Sequence, residues 1–378
     1  MKIMRSIFRL GVKSSQSCVI ALLIAGAGFA QAATPNTSLN ASVAFTFDKQ
    51  KSTAPLAKFT LTNVSTHSVW VLKRELPNSQ YLTNNQFRVT RDGQELSYHG
   101  IMVKYVAPTA SDYVEIKAGS AYTANIDIAK FYDMERGGDF SINFRANQLS
   151  VLDSAPASQG VVRARTRTGI NLDDSKHLSF TGAPGTLQFK TTATAQSAIA
   201  ASAVVKASGM TLQFTSCSTS RQATLKTAIT NATTYNNKAV AWIKANPKGG
   251  TLYNTWFGAY TATRFATVKA HFDGIAKEFA SQTIRLECDD TSEYSSNMAY
   301  VQQNDPYHIY IGRGYWGAAA TGYDSKAGTL IHESSHFFIN GGTEDYVYGL
   351  QEGKDLAISS PDNAVQNADN VEHFAESL

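Results

Sequence analysis

The sequence predicts a chain in two parts, an all-β, sandwich-like N-terminal region and an α+β C-terminal region. Three observations predict this. Between residues 35 and 150, short runs alternate apolar and polar residues and are separated by turn signals such as Arg91-Asp92-Gly93. After about residue 190 the alternation gives way to longer segments with apolar residues at helical spacing. The length, 378 residues, suits two or three units rather than one. With 43% apolar and 17% charged residues the chain can bury a full core. The net charge of +4 gives no nucleic-acid signal.

From the start of the chain, residues 1–32 read as a secretory signal. Lys2, Arg5, Arg9 and Lys13 form a basic segment, Cys18 to Phe29 a short apolar run, and Ala30-Gln31-Ala32 a cleavage site before Ala33. The run is short for a membrane span, which needs about 20 residues. The strand candidates are Ala41–Phe47, Ala57–Asn63, Ser68–Leu72, Gln86–Thr90, Tyr122–Ile128 and Asp139–Phe144. His67 and His99 stand alone among them, with no metal spacing. The pattern thins between 150 and 190. Small residues then dominate in Thr191–Ser202, which reads as a linker running to about 205. Residues 206–378 hold 13 Lys+Arg and 17 Asp+Glu, a formal −4, whereas residues 33–205 carry +4. Opposite charges on the two halves suit association between them.

The C-terminal region opens with Cys217-Ser218-Thr219-Ser220, a capped helix start, and that helix ends at Asn246-Pro247. A second helix spans about Tyr260 to Phe279, with His271 among its core positions. Strand-like pieces follow near Thr283–Leu286, Ala299–Gln302 and His308–Ile311. Cys217 and Cys288 are the two cysteines left once Cys18 departs with the signal. In an exported chain they imply one disulfide. Closing a loop of about 70 residues, it contributes up to about 4.5 kcal/mol in the chain-entropy picture.

The chemistry concentrates in Thr329-Leu330-Ile331-His332-Glu333-Ser334-Ser335-His336, which contains H-E-x-x-H. Residues four apart share a helix face, so His332 and His336 can both turn ring nitrogens to one Zn²⁺. Glu333 then stands beside the metal as a general base. Asp324 or Ser325 can cap this helix, and Gly341-Gly342 offers a left-handed stop. A catalytic zinc needs a third ligand and one open position. Gly342 occupies the place of a third histidine six residues on. That leaves the distant Glu352, Glu372 and Glu376 and the nearer Glu344 and Asp345.

This motif, followed by Gly341-Gly342-Thr343-Glu344-Asp345-Tyr346-Val347-Tyr348-Gly349, resembles the aspzincins, the deuterolysin-like metallopeptidases, and within them the peptidyl-Lys metalloendopeptidase branch. The resemblance covers roughly residues 210–378. It implies a zincin-like α+β catalytic domain at 206–378 and one Zn²⁺ per chain on His332, His336 and Asp345. It also implies transition-state stabilisation by Tyr348. The run Pro361–Glu376 is similar to the lysine-specific branch, in which Asp369 and Glu372 would line a pocket for lysine. Relatives in that branch carry a second disulfide for which this chain has no cysteines, which leaves Asp289–Tyr307 less tied down. Aspzincin precursors have a β-rich propeptide, and Val71–Arg74 with Tyr98-His99-Gly100 resembles it, so residues 33–205 read as a propeptide. Cleavage before lysine would make Val205–Lys206 the maturation bond.

The expectation is therefore a secreted zinc metalloendopeptidase made as a proenzyme, cutting on the N-terminal side of lysine. A zinc endopeptidase of broader specificity is the alternative if Asp369 and Glu372 face solvent. A secreted binding protein with a vestigial metal site is the third reading, and Glu333 beside both histidines speaks against it. The expected partners are protein or peptide substrates and the chain's own propeptide, with no nucleic acid and no stable membrane association. The mature form is expected to be a monomer.

Overall fold

The computed structural model describes residues 39–46, 56–134, 136, 138–145, 148–162, 167–172, 178–179 and 209–378. The expected signal at 1–32, the linker at about 191–205 and the Val205–Lys206 bond lie outside them. The described residues belong to one compact unit, Thr37–Leu378.

Among the described residues, the N-terminal region contributes twelve strands: β1 (Leu39–Thr46), β2 (Leu56–Asn63), β3 (Val69–Leu72), β4 (Phe87–Arg91), β5 (Gln94–Glu95), β6 (Ile101–Lys104), β7 (Tyr113–Ile116), β8 (Ala121–Asp127), β9 (Asp139–Phe144), β10 (Gln148–Leu152), β11 (Arg167–Leu172) and β12 (Leu178–Ser179). Seven form one sheet in the order β7-β3-β10-β11-β1-β2-β8, and four form a second, β12-β9-β4-β5. Alternation produces the packing between them. On β2, Ala57, Phe59 and Leu61 are buried while the residues between them are less so. Phe59 of the first sheet meets Phe144 of the second, with ring centroids 4.8 Å apart. The six strand candidates read from the sequence all appear. β5, β6, β7, β10, β11 and β12 are not among those six.

The third sheet belongs to the C-terminal region. Its strands are β13 (Thr211–Thr215), β14 (Thr283–Cys288), β15 (Ala299–Gln302) and β16 (His308–Ile311), in the order β13-β14-β16-β15. β6 leaves the N-terminal sheets and completes this one as its fifth strand, antiparallel to β15, with Lys104 opposite Ala299 and Val103 opposite Tyr300.

The helices are α1 (Thr219–Ala245), α2 (Thr251–Phe257), α3 (Ala262–Ser281), α4 (Lys326–His336), α5 (Leu350–Ser359), α6 (Pro361–Ala364) and α7 (Ala368–Glu376). Ser218 caps α1 by accepting from the Arg221 amide, and Thr261 caps α3 in the same way from Arg264. α4 packs against α1, α3 and α7, and every residue from Ala327 to His336 is buried. Its contact with α7 is close: a Cβ on Gly328 would stand 1.9 Å from Glu376 Oε1. Cys217 and Cys288 are joined, tying the start of α1 to the end of β14. The Asp289–Tyr307 segment is held at its start by the Asp289 carboxylate, which accepts from the amides of Thr291 and Ser292 and from the Tyr300 hydroxyl. No helix among the described residues is long and apolar enough to cross a membrane.

Candidate active site

Ser325 is the α4 cap, its hydroxyl accepting from the Gly328 amide at 2.9 Å. The helix does not run to the glycines, as the sequence implies. It stops at His336, because Asn340 Nδ2 donates to the Ser334 carbonyl at 2.9 Å and replaces a backbone donor of the next turn. A short 3₁₀ turn, Phe338–Asn340, follows. Gly341 (φ 113°) and Gly342 (φ 65°) then reverse the chain. A side chain at Gly341 is also barred by space, since its Cβ would lie 2.2 Å from His271 Nδ1. The returning segment bonds back to α4, with the Thr343 amide donating to the Ser335 carbonyl at 3.1 Å.

That reversal carries Asp345 to the two histidines. Asp345 Oδ1 lies 3.2 Å from His332 Nε2, and Oδ2 lies 3.5 Å from His336 Nε2. All three side chains are fully buried. The distal ring nitrogens are selected from behind. His336 Nδ1 donates to the Thr343 carbonyl at 2.8 Å, and His332 Nδ1 lies 2.9 Å from Asp369 Oδ1. With the proton on each Nδ1, both Nε2 lone pairs point at the centre. Among the described residues, His332 Nε2, His336 Nε2 and both oxygens of Asp345 and Glu333 have no protein hydrogen-bond partner. Buried polar atoms without partners are costly. Two imidazole nitrogens and a carboxylate converging in this way form a donor set that fits a divalent zinc ion with a position left open.

Of the other carboxylates left open by the sequence, Glu344 accepts from Asn85 Nδ2 at 2.9 Å and Glu376 from the Ser325 hydroxyl at 2.7 Å. Glu352 lies on α5 along the wall of a cavity of about 820 Å³ that extends from Asp345 towards Pro108. Glu333 is buried within α4, and burial pushes its carboxyl up to about 8. The ring of Tyr348 stacks near His332, with centroids 6.3 Å apart. α7 and the residue before it hold the Tyr348 segment: Asn367 Oδ1 accepts from the Tyr346 and Val347 amides, and Asp369 Oδ2 from the Gly349 amide at 2.6 Å.

Asp369 and Glu372 do not face solvent. They are 1% and 0% exposed, and β6 fills the space between them. Lys104 Nζ donates to Asp369 Oδ1 at 3.1 Å and to Glu372 Oε2 at 2.5 Å. One residue earlier, the Val103 carbonyl accepts from the Tyr348 hydroxyl at 2.8 Å. The Arg74 guanidinium covers the Tyr348 ring, 4.9 Å from its centroid. The sequence reading missed Lys104 and Val103. The available signal was a lysine closing the apolar run Ile101-Met102-Val103, in a chain whose own pocket was expected to take lysine. His373 Nε2 lies 3.3 Å from Asp324 Oδ1. His271 is buried with its two ring nitrogens facing the carbonyls of Asn340 and Val365, a core histidine as expected.

The family profile described as lysine-specific metallo-endopeptidase matches residues 242–376. An extracellular protease from Aeromonas hydrophila is 31% identical over 357 residues, covering 94% of this chain and 96% of the relative. A peptidyl-Lys metalloendopeptidase from Armillaria mellea is 31% identical over 328 residues, covering 84% and 85%. One from Pleurotus ostreatus is 40% identical over 164 residues, covering 43% of this chain and 95% of the relative. Among solved structures, a zinc peptidase from Grifola frondosa matches with 40% identity and a TM-score of 0.40, over 43% of this chain and 97% of that one.

Proposed function

The chain belongs to the aspzincin family of zinc metalloendopeptidases, and from that premise we propose that it is exported as a proenzyme and cleaves on the N-terminal side of lysine. In this reading residues 1–32 are the signal, 33–205 the propeptide and 206–378 the catalytic domain. His332, His336 and Asp345 would hold one zinc ion, which would supply Lewis-acid polarisation of the scissile carbonyl and lower the pKa of a water. Glu333 takes the proton of the attacking water and passes it to the leaving amine. The Tyr348 hydroxyl donates to the carbonyl oxygen as it gains negative charge. Asp369 and Glu372 hold the ammonium of the lysine whose amide is cut.

The observation that carries this reading is the seat of β6. An antiparallel strand added to a sheet edge is a common way to bind an extended peptide. Here Val103–Lys104 stands in the register of a substrate, with the lysine between Asp369 and Glu372 and the preceding carbonyl on Tyr348. A peptide so seated occupies the groove that a substrate needs. This supports a propeptide that inhibits the enzyme by imitating what it cleaves.

The test is to incubate the zinc-loaded, processed protein with an unstructured polypeptide of known sequence, with and without chelator, and to map the cuts by mass spectrometry. Chelator-sensitive cuts before lysine are expected. Scattered chelator-sensitive cuts would remove the lysine assignment and keep the protease.

A further inference from the structure

Three carboxylates, not two, surround the Lys104 ammonium. Asp324 Oδ1 lies 3.8 Å from Nζ, beyond Asp369 and Glu372 but within ion-pair reach. Asp324 comes from a separate stretch, the turn that leads into α4, and that turn is built to present it. The residue adopts φ +53°, the left-handed region that aspartate tolerates better than most residues. Its amide donates to Glu376 Oε2 at 3.1 Å, while the amide and hydroxyl of Ser325 donate to Glu376 Oε1 at 3.1 and 2.7 Å. Its carboxylate is oriented by His373 Nε2 at 3.3 Å, and His373 is itself buried against Trp256, with centroids 5.3 Å apart. α7 therefore supplies two carboxylates through Asp369 and Glu372, and fixes the third through His373 and Glu376.

The three differ in depth. The side chains of Asp369 and Glu372 are 1% and 0% exposed, whereas that of Asp324 is 51% exposed. Asp324 thus stands at the mouth of the seat and the other two at its floor. An ammonium carries three N–H donors on one atom; Asp369 and Glu372 accept from it, and Asp324 adds a third negative charge at ion-pair distance. The hydrogen bond with His373 also holds the Asp324 carboxyl below its usual range, so it is charged when a lysine arrives.

We propose that Asp324 is the third carboxylate of the lysine seat, a specificity-determining residue at its mouth. This rests on the lysine-cleaving reading. Because an ammonium meets Asp324 on entry and on binding, its effect falls on lysine binding rather than on the chemical step.

The test uses the full-length chain, in which Lys104 is the bound lysine. Asp324→Asn and Asp324→Gly both suit a positive φ, so either removes the charge without backbone conflict. Hydrogen exchange of the Ile101–Lys104 amides is measured for each variant in the native background and in the Lys104→Met background. Exchange about two- to fivefold faster in the native background, and unchanged in the Lys104→Met background, is expected for a half-exposed ion pair. Equal acceleration in both backgrounds, or none in either, would overturn the proposal. A companion measurement compares the processed zinc enzyme on two peptides that differ only in lysine against norleucine at the cut site. Asp324→Asn should raise KM for the lysine peptide by a similar factor and leave kcat and the norleucine peptide unchanged. A wild-type enzyme that treats both peptides alike would overturn the lysine reading itself. A wild-type preference that Asp324→Asn leaves intact would overturn this inference alone.

Discussion

Lys104 Nζ and Glu372 Oε2 lie 2.5 Å apart across 268 residues of sequence, both side chains almost wholly buried. Breaking a buried pair by removing one partner leaves the other charge uncompensated, at a cost of about 3–5 kcal/mol. In Lys104→Met, both Asp369 and Glu372 lose that cation, and the cost falls on the docking of β6. The zinc-loaded full-length variant should therefore cleave an added peptide sooner and faster than the native chain. A continuous fluorescent assay follows this, and an unchanged time course would mean that β6 is not the barrier.

In the proposed site, Glu333 and Asp345 separate catalysis from metal retention. Glu333→Gln keeps the size of the side chain and removes the base, so zinc content should stay near one per chain while activity falls by at least about 100-fold. Asp345→Asn replaces a charged donor with a neutral one and should weaken zinc binding itself. Metal analysis after dialysis against graded chelator checks both. A Glu333→Gln chain that still cleaves would end the assignment of the base.

The Cys217–Cys288 bridge joins residues 71 apart in sequence. Constraining a loop of that size in the unfolded chain contributes about 4 kcal/mol. Cys217→Ser with Cys288→Ser should lower the melting temperature by several degrees, and reductant should lower that of the native chain by a like amount without affecting the double variant.

Much of this was readable beforehand because it is local. Ala57–Asn63 alternates so regularly that the strand and its buried face follow from the residue order. His332-Glu333-Ser334-Ser335-His336 sets both imidazoles and the acid on one helix, and Ser325 caps it. What escaped is long-range. Ile101–Lys104 is four residues long with no alternation, and its meaning as a strand depends on β15, about two hundred residues later. Asp324 carries no motif for lysine binding, and its place beside Lys104 appears only when α7 lies beside the α4 turn. The end of α4 was misjudged for a similar reason: Gly341-Gly342 is a strong local stop, but Asn340 reaches back to the Ser334 carbonyl and ends the helix five residues earlier. Asp345, one of several carboxylates open to the residue pattern, is brought beside the two histidines by the reversal at those glycines.

Glu278 is a buried acid that the proposed chemistry does not use, and it makes stability depend on pH. It lies on α3 beneath α4, accepting from the Ser334 hydroxyl at 2.9 Å and from Asn340 Nδ2 at 2.6 Å. Burial pushes its carboxyl up to about 8, against the opposing pull of those two hydrogen bonds. An unfolded glutamate titrates near 4.5, so between about pH 4.5 and 8 the folded chain holds a proton that the unfolded chain has released. Stability through this group is then full below about pH 4.5, falls as pH rises through that window, and levels off above about 8. Glu278→Gln imitates the protonated acid: its amide can donate to the Ser334 hydroxyl oxygen and its carbonyl can accept from Asn340. The variant should lose this part of the pH dependence and melt higher than the native chain at pH 8, with little difference at pH 5. Thermal unfolding of both chains in a matched buffer series, in the Glu333→Gln background to prevent self-digestion, measures the gap between them. A gap that stays constant from pH 5 to 8 would mean that Glu278 is ionised throughout and that Ser334 and Asn340 hold it as a carboxylate.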